Sequence, residues 1–225
     1  MNIFFISFKE NNCEENWSRL LSYHPDAKRI HGITGIDNVH MACNNLSDTE
    51  YFWTVDGDNW LTTSLEVDNY TSDLILYKAI DPIHNAPTLL GGVKLWRKDA
   101  IINPNMHKGD FSLNATKEKI VLDKVFSITR YNSSPFDAWR TAFRHCVKLM
   151  SIILRSRPNA KNIDNYIEQW KASKNSKEHN AEWCYLGYLD AIDYVSIYDN
   201  NIVELNKIND YLWLETFFNK NYKMS

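Results

Sequence analysis

The chain has little glycine and proline, and its few cysteines stand apart from one another. Seven glycines and six prolines among 225 residues leave no glycine- or proline-rich linker, which argues against a long disordered segment. The four cysteines form no CxxC pair and no zinc-type spacing; they are Cys13, Cys43, Cys146 and Cys184. We therefore expect reduced thiols rather than a disulfide framework.

Long apolar runs are also absent. No stretch approaches the roughly 18 to 20 apolar residues that cross a bilayer. The opening segment, MNIFFISFKENN, has only a short apolar run and lacks the basic start of a signal peptide. These absences predict a cytoplasmic protein without a membrane partner.

Positive charge is missing from one part of the chain and concentrated in another. Residues 30–77 contain no Lys or Arg but eight acidic residues, whereas residues 124–161 contain eight basic residues and one acid, Asp137. The net charge of −3 excludes a histone-like protein. An acidic zone and a basic zone suit a bound cation beside bound phosphates, and two solvated faces explain the same pattern.

The hydrophobic residues are numerous enough to form the core of a globular domain. Hydrophobic residues make up 44% of the chain and aromatic residues 13%. Apolar runs predict strands near 3–8, 27–30, 50–55, 74–79 and 92–96, and helical spacing predicts helices near 16–21, 36–46, 136–150, 163–170 and 181–197. This alternation predicts an α/β fold, a mostly parallel sheet flanked by helices, with a helical C-terminal region. We expect a core at 1–160 and a helical extension at 161–225.

The strongest local signal for chemistry is the segment Asp56-Gly57-Asp58. It directly follows the apolar strand that ends at Val55, and ligands of parallel sheets bind at the carboxyl ends of strands. Two carboxylates separated by one residue suit a hard cation such as Mg²⁺ or Mn²⁺ that also binds phosphate oxygens. The alternative interpretation is a simple Asp-Gly turn.

Further candidates lie later in the chain. Gly91 and Gly92 allow close approach of the backbone to a ligand, and Lys94 could reach a phosphate, whereas the alternative is a turn before a strand. Asp110, which follows a glycine, is a candidate general base or an ordinary turn residue. His145 is a candidate third metal ligand, although a lone histidine in a helix also fits a structural role.

Four basic side chains form the last group of candidates. Arg130 precedes the helix that begins near Phe136, and we assign it a catalytic role. Arg140, Arg144 and Lys148 share one face of that helix, because residues four apart in a helix are neighbours. Their guanidinium and ammonium groups suit phosphate, so we predict contact with DNA or another acceptor. A solvated basic face is the alternative.

Several of these segments resemble a known family. The stretch from Tyr51 to Asn59 resembles the DxD segment of GT-A glycosyltransferases. Other segments resemble a small set of phage-encoded glycosyltransferases that modify hydroxymethylated DNA pyrimidines: Asp81-Pro82-Ile83, Gly91 to Leu95, Thr129 to Phe136, Trp139-Arg140 and Phe143-Arg144. Together these matches extend over residues 1 to about 150.

The resemblance implies a function. It implies a GT-A-like fold, a Mn²⁺ or Mg²⁺ ion at Asp56 and Asp58, and a UDP-sugar donor. It also implies 5-hydroxymethylcytosine in double-stranded phage DNA as the acceptor of a glucosyl or arabinosyl group, and hence the host cytoplasm as the location. The alternatives are a saccharide, lipid-linked or protein acceptor, or a non-catalytic module that binds a nucleotide sugar. A nucleotidyltransferase is disfavoured because Ser7 to Asn11 is not a glycine-rich loop.

Overall fold

The chain divides into two compact units. The computed structural model describes residues 1–67, 71–88, 91–101, 111–154 and 163–222. By internal contacts, a sheet unit runs to Tyr131 and a helical unit begins at Asn132. The sequence predicted a core at 1–160 and a helical extension at 161–225, and this division stays a prediction. The helix Pro135–Met150 packs against the later helix Ala181–Tyr198 within the helical unit.

The sheet unit is built on eight described strands. They are β1 (Asn2–Ser7), β2 (Lys28–His31), β3 (Tyr51–Asp56), β4 (Asn59–Leu61), β5 (Leu74–Asp81), β6 (Ala86–Thr88), β7 (Val93–Arg97) and β8 (Lys119–Thr129). Their order is β2-β1-β3-β7-β5-β8-β4, and β6 pairs with β5. β2, β1 and β3 are parallel, β7 is antiparallel to both β3 and β5, and β8 is parallel to β5. β4 and β6 are antiparallel to their partners β8 and β5. The sheet is therefore mixed, with five of its eight described strands running in one direction, and the predicted α/β class is confirmed.

Helices cover the two faces of this sheet because its central strands β1, β3 and β7 are apolar on both sides. On one face, Phe5, Trp53 and Val55 pack with Cys13 and Leu20 of α1 (Cys13–Tyr23). On the other face, a second cluster joins the sheet to α2 (Ile36–Leu46) and the short α3 (Phe111–Asn114); it includes Phe4, Ile6, Phe52, Trp96, Val39 and Cys43. Neighbouring residues of a strand thus enter different cores, as the period of two requires.

The helical unit contains five described α-helices: α4 (Pro135–Met150), α5 (Ile163–Ala172), α6 (Ala181–Tyr198), α7 (Ile202–Asn206) and α8 (Tyr211–Asn221). α4 begins with proline in its first turn, and the Ser134 hydroxyl accepts a hydrogen bond from the Asp137 amide, which is a favourable N-cap. Trp139 and Phe143 of α4 stack on Phe217 of α8. None of the described helices combines the length and apolarity that a bilayer crossing requires.

Candidate metal-binding site

The carboxyl ends of five strands lie at one edge of the sheet. β1, β2, β3, β5 and β8 run in the same direction, so their carboxyl ends lie at this edge; the end residues are Ser7, His31, Asp56, Asp81 and Thr129. β7 begins at the same edge because it is antiparallel to β3. Ligands of such sheets bind beyond the carboxyl ends of the strands. The Asp56-Gly57-Asp58 turn therefore lies where a binding site is expected.

Hydrogen bonds to the backbone hold this turn in place. The side-chain amide of Asn16, which is fully buried in α1, donates to the Gly57 carbonyl oxygen over 2.8 Å. The Arg130 amide donates to the Asp58 carbonyl oxygen over 2.6 Å. Two elements that are distant in sequence thus fix the turn, and the carboxylates on either side of Gly57 project from a rigid support.

The Asp56 carboxylate has one paired oxygen and one unpaired oxygen. Oδ2 lies 2.9 Å from the Lys94 ammonium. Oδ1 is buried and has no hydrogen-bond partner among the described residues. Gly92 packs directly on the Asp56 side chain, since a Cβ added to Gly92 would clash with Asp56 Cβ and lie 2.7 Å from Asp56 Cγ. The position of the Asp56 side chain therefore depends on the absence of a side chain at Gly92.

Asp58 is oriented by the residue that follows it. Its Oδ1 accepts a hydrogen bond of 2.7 Å from the side-chain amide of Asn59. Asn59 is itself buried, and its Oδ1 accepts from the Ser127 hydroxyl over 2.8 Å and from the Gly92 amide over 3.2 Å. A network that starts at Ser127 of β8 and at Gly92 therefore orients one carboxylate oxygen of Asp58.

These two carboxylates fit a hard divalent cation. A buried carboxylate oxygen without a donor is costly unless a ligand compensates it, and Asp56 Oδ1 is such an atom. Mg²⁺-type ions are commonly held by one or two carboxylates, with phosphate and water oxygens completing the coordination. Among the described residues no group of three His, Cys, Asp or Glu side chains could hold a metal by itself. Asp56 and Asp58 are the two carboxylates of this turn that could hold such an ion, and their role as metal ligands remains a prediction.

Cys43 is a neighbour of Asp56. Burial, together with the charge of Asp56, raises the pKa of the Cys43 thiol to about 12. The thiol is therefore protonated at neutral pH.

The two glycines have structural roles that the sequence could not separate from a ligand-binding role. A Cβ on Gly91 would lie 2.9 Å from the Tyr77 carbonyl oxygen and 3.0 Å from the Ala79 amide nitrogen. Gly91 therefore permits close packing on β5, and Gly92 permits close packing on Asp56. The structure also places Lys94 on Asp56, so the predicted contacts of these three residues with phosphate remain predictions.

The sequence predicts Mn²⁺-dependent binding of UDP, and we expect Gly92→Ala to weaken this predicted binding by about tenfold or more, because the new methyl group must displace the Asp56 carboxylate. Titration of UDP with and without Mn²⁺ measures this effect. Gly32→Ala is the matched control: Gly32 follows β2 at the same edge, and its added Cβ would meet nothing within 4 Å. Its positive φ of 78° makes alanine cost about 1 kcal/mol of stability, without an effect on binding. Equal UDP affinity in Gly92→Ala and wild type would contradict the prediction.

Arg130 makes several contacts within the sheet unit. Its Nη1 donates to Glu15 Oε2 over 2.8 Å and to Asn16 Oδ1 over 3.3 Å. The guanidinium carbon lies 5.1 Å from the centre of the Trp60 ring, a favourable cation–π distance. Its amide also holds the Asp58 carbonyl oxygen. The described contacts support the shape of the turn, and the catalytic role remains a prediction.

Asp110, His145 and Arg140 are further sequence candidates. Asp110 lies outside the described residues. His145 belongs to the helical unit, where its Nδ1 accepts a hydrogen bond of 3.0 Å from the Trp170 indole. The predicted role of His145 as a metal ligand remains a prediction. Arg140 lies 3.6 Å from Asp137 and faces the Tyr211 ring.

The other basic residues of α4 are also within the helical unit. Arg144 donates to the Ile208 carbonyl oxygen over 2.7 Å, and Lys148 lies in the last turn of α4, where a cation is favourable for the helix dipole. The described contacts of Arg140 and Arg144 are thus with their own unit. Their role towards DNA or another acceptor, like that of Lys148, remains a prediction.

Sequence reasoning missed a second polar cluster at the same sheet edge. Arg29 Nε donates to the Ser7 hydroxyl over 2.9 Å, and that hydroxyl lies 2.9 Å from His31 Nδ1. The Ser7 hydroxyl thus lies within hydrogen-bond distance of both Arg29 and His31. Arg29 also pairs with Glu14 of α1. Only the parallel pairing of Ser7 with His31 brings these residues together, so no short motif could reveal them.

Asp81 was noted only as part of a resembling segment, but it organises the end of β5. The carboxylate is buried and its Oδ1 accepts from the Tyr131 hydroxyl over 2.9 Å and from the Ile83 amide over 2.8 Å. Burial raises its pKa, but hydrogen bonding and the nearby charge of His84 outweigh burial, so the net pKa is below its usual value. Asp81 is therefore ionised at neutral pH and anchors the turn that begins β6.

The chain was compared with protein-family models, curated proteins and solved structures. No protein-family model and no curated protein matches the chain. One matching solved structure is described as the crystal structure of a glycosyltransferase involved in the glycosylation of the major capsid of PBCV-1. The two chains are 13% identical and align with a TM-score of 0.36 over 55% of this chain and 82% of that chain. At this level the likeness carries no argument about activity, which rests on the site itself.

Proposed function

We propose that this protein is a metal-dependent glycosyltransferase that moves a sugar from a UDP-sugar donor to an acceptor hydroxyl. The observation that carries the proposal is the unpaired, buried Oδ1 of Asp56 beside Asp58 at the carboxyl edge of the sheet. The same two residues carry the resemblance to the DxD segment of GT-A glycosyltransferases. Geometry and sequence pattern thus support one cation site for a diphosphate.

In this proposal each side chain of the turn has a defined task. Asp56 and Asp58 hold Mn²⁺ or Mg²⁺, which when bound neutralises the charge that develops on the departing diphosphate. Asn59 orients Asp58 through its side-chain amide. Asn16 and Arg130 hold the turn by its carbonyl oxygens. Because these groups are positioned before the substrate arrives, no reorganisation is needed during the reaction.

The acceptor is proposed from the sequence resemblance alone. We propose 5-hydroxymethylcytosine in double-stranded phage DNA, with transfer of a glucosyl or arabinosyl group. A hydroxymethyl group at position 5 of cytosine lies in the major groove, where a protein can reach it without extruding the base. The enzyme would then act in the host cytoplasm. A saccharide, lipid-linked or protein acceptor would leave the donor site unchanged.

A UDP-release assay tests the reaction and the acceptor together. The purified protein is incubated with Mn²⁺ and a panel of UDP-sugars, with hydroxymethylcytosine duplex, with unmodified duplex, and without acceptor. We expect release that depends on the hydroxymethyl group and stops when EDTA removes the metal. Equal slow release in all three arms would contradict the DNA acceptor but not the transferase. No release with any UDP-sugar, together with no Mn²⁺-dependent binding of UDP, would overturn the proposed function.

A further inference from the structure

The ion pair between Lys94 and Asp56 lies inside the proposed cation site. Lys94 is opposite Thr54 in the antiparallel pairing of β7 with β3. Thr54 and Asp56 are two residues apart in β3, so their side chains emerge on the same face of the sheet. Lys94 is therefore a diagonal neighbour of Asp56 on that face. The pairing of the two strands places the ammonium beside the carboxylate.

The burial of the pair makes the ammonium a permanent part of the site. The Lys94 side chain is only 8% exposed, and the Asp56 side chain is 32% exposed. An ammonium buried to this extent needs its counter-ion. The backbone of Asp56 is also fixed, because its amide donates to the Gly92 carbonyl oxygen over 3.1 Å. Neither the Lys94 ammonium nor the Asp56 carboxylate can move away from the other without loss of a buried contact.

The pair has opposite effects on the two components of a metal–diphosphate complex. The ammonium occupies Asp56 Oδ2 and compensates its negative charge, so a free divalent cation that approaches Oδ1 meets a nearby positive charge. A diphosphate is attracted by the same ammonium. When both bind, the phosphate charges offset the repulsion between the ammonium and the metal.

We infer that Lys94 makes cation binding at Asp56 depend on the diphosphate, so that the metal binds tightly only together with the donor. This inference rests on the proposed function, and it adds a coupling between the binding of the metal and the binding of the donor. Lys94 is a positioning residue here: it acts on the metal through the carboxylate of Asp56. By linkage, the factor by which UDP tightens Mn²⁺ binding equals the factor by which Mn²⁺ tightens UDP binding.

Titration of Mn²⁺ alone, followed by the electron paramagnetic resonance signal of the free ion, tests the inference without any turnover. In the wild-type protein we expect weak binding of Mn²⁺ alone and binding that is at least about tenfold tighter at saturating UDP. Lys94→Met is expected to bind Mn²⁺ alone roughly tenfold more tightly than the wild type, because the repulsion is gone. The same variant should bind UDP alone more weakly and show a smaller coupling factor.

Lys94→Arg is the matched control, because it retains the charge and is expected to retain a coupling factor close to the wild-type value. Circular dichroism and thermal melting check that each variant folds. If Lys94→Met does not fold, titration of the wild-type protein still tests the inference. Equal Mn²⁺ affinity with and without bound UDP overturns it. A folded Lys94→Met with unchanged Mn²⁺ affinity and unchanged coupling also overturns it. Absence of any joint binding of Mn²⁺ and UDP in the wild type overturns the proposed function instead.

Discussion

Replacement of Asp56 by asparagine is expected to reduce Mn²⁺-dependent binding of UDP by about 100-fold or more, and to abolish UDP release. Asparagine keeps the size of the side chain but removes the charge that a hard cation requires. The reference measurement is calorimetric titration of UDP in the presence of Mn²⁺ and in the presence of EDTA. Binding within threefold of the wild type would contradict the metal site.

The same substitution should also destabilise the fold, because Lys94 then loses its counter-ion. Removal of one partner of a partly buried ion pair costs about 1 to 3 kcal/mol. The double variant Asp56→Asn with Lys94→Met removes both charges and should recover most of this stability without recovering UDP binding. Asp48→Asn, at an exposed position, should change neither quantity. This set of variants distinguishes loss of UDP binding caused by a missing metal ligand from loss caused by a destabilised fold.

The second large effect is expected in the helical unit, at Gly187 of α6. A Cβ at this position would clash with the Trp139 carbonyl oxygen and lie 3.0 Å from the Phe143 amide nitrogen. Both atoms belong to the backbone of α4, which cannot move aside as a flexible side chain would. The close approach of α4 and α6 therefore depends on the absence of a side chain at Gly187.

We expect Gly187→Ala to lower the free energy of unfolding by about 2 kcal/mol and Gly187→Val to lower it further. Chemical denaturation, followed by tryptophan fluorescence, measures the change. The sign is decisive, because helix propensity alone predicts that alanine stabilises a helix by about 1 kcal/mol relative to glycine. Ser196→Ala, at an exposed position of α6, is the control and should change stability by less than about 0.5 kcal/mol. A gain in stability for Gly187→Ala would contradict the close packing.

The first 60 residues follow their local pattern closely. α2 was predicted at 36–46 and spans Ile36–Leu46, and the predicted strand at 50–55 corresponds to β3. These predictions are confirmed because the apolar pattern is regular there, and β1 and β3 bury residues on both faces. The position of the acidic turn at the end of β3 follows from the same pattern.

β8 was not predicted, although it is the longest strand at 11 residues. In its first half, exposed and half-buried side chains alternate, and charged residues flank the apolar run Ile120 to Leu122. Its register with β5 also shifts near Tyr77 and Lys78. Strand propensity depends on packing against neighbours, so a strand with an exposed first half gives a weak local signal. β4, with three residues, is too short for any period to be visible.

The sequence by itself determined the α/β class, the helical C-terminal region and the position of two carboxylates at the end of an apolar strand. These features depend on residues that are near one another along the chain, where the periods of strands and helices are visible. Only the tertiary structure decided that Lys94 pairs with Asp56, that Asn16 and Arg130 hold the turn, and that His145 accepts a hydrogen bond from Trp170. The first of these pairs is separated by 38 positions. Strand order and register bring such residues together, and no local pattern encodes them.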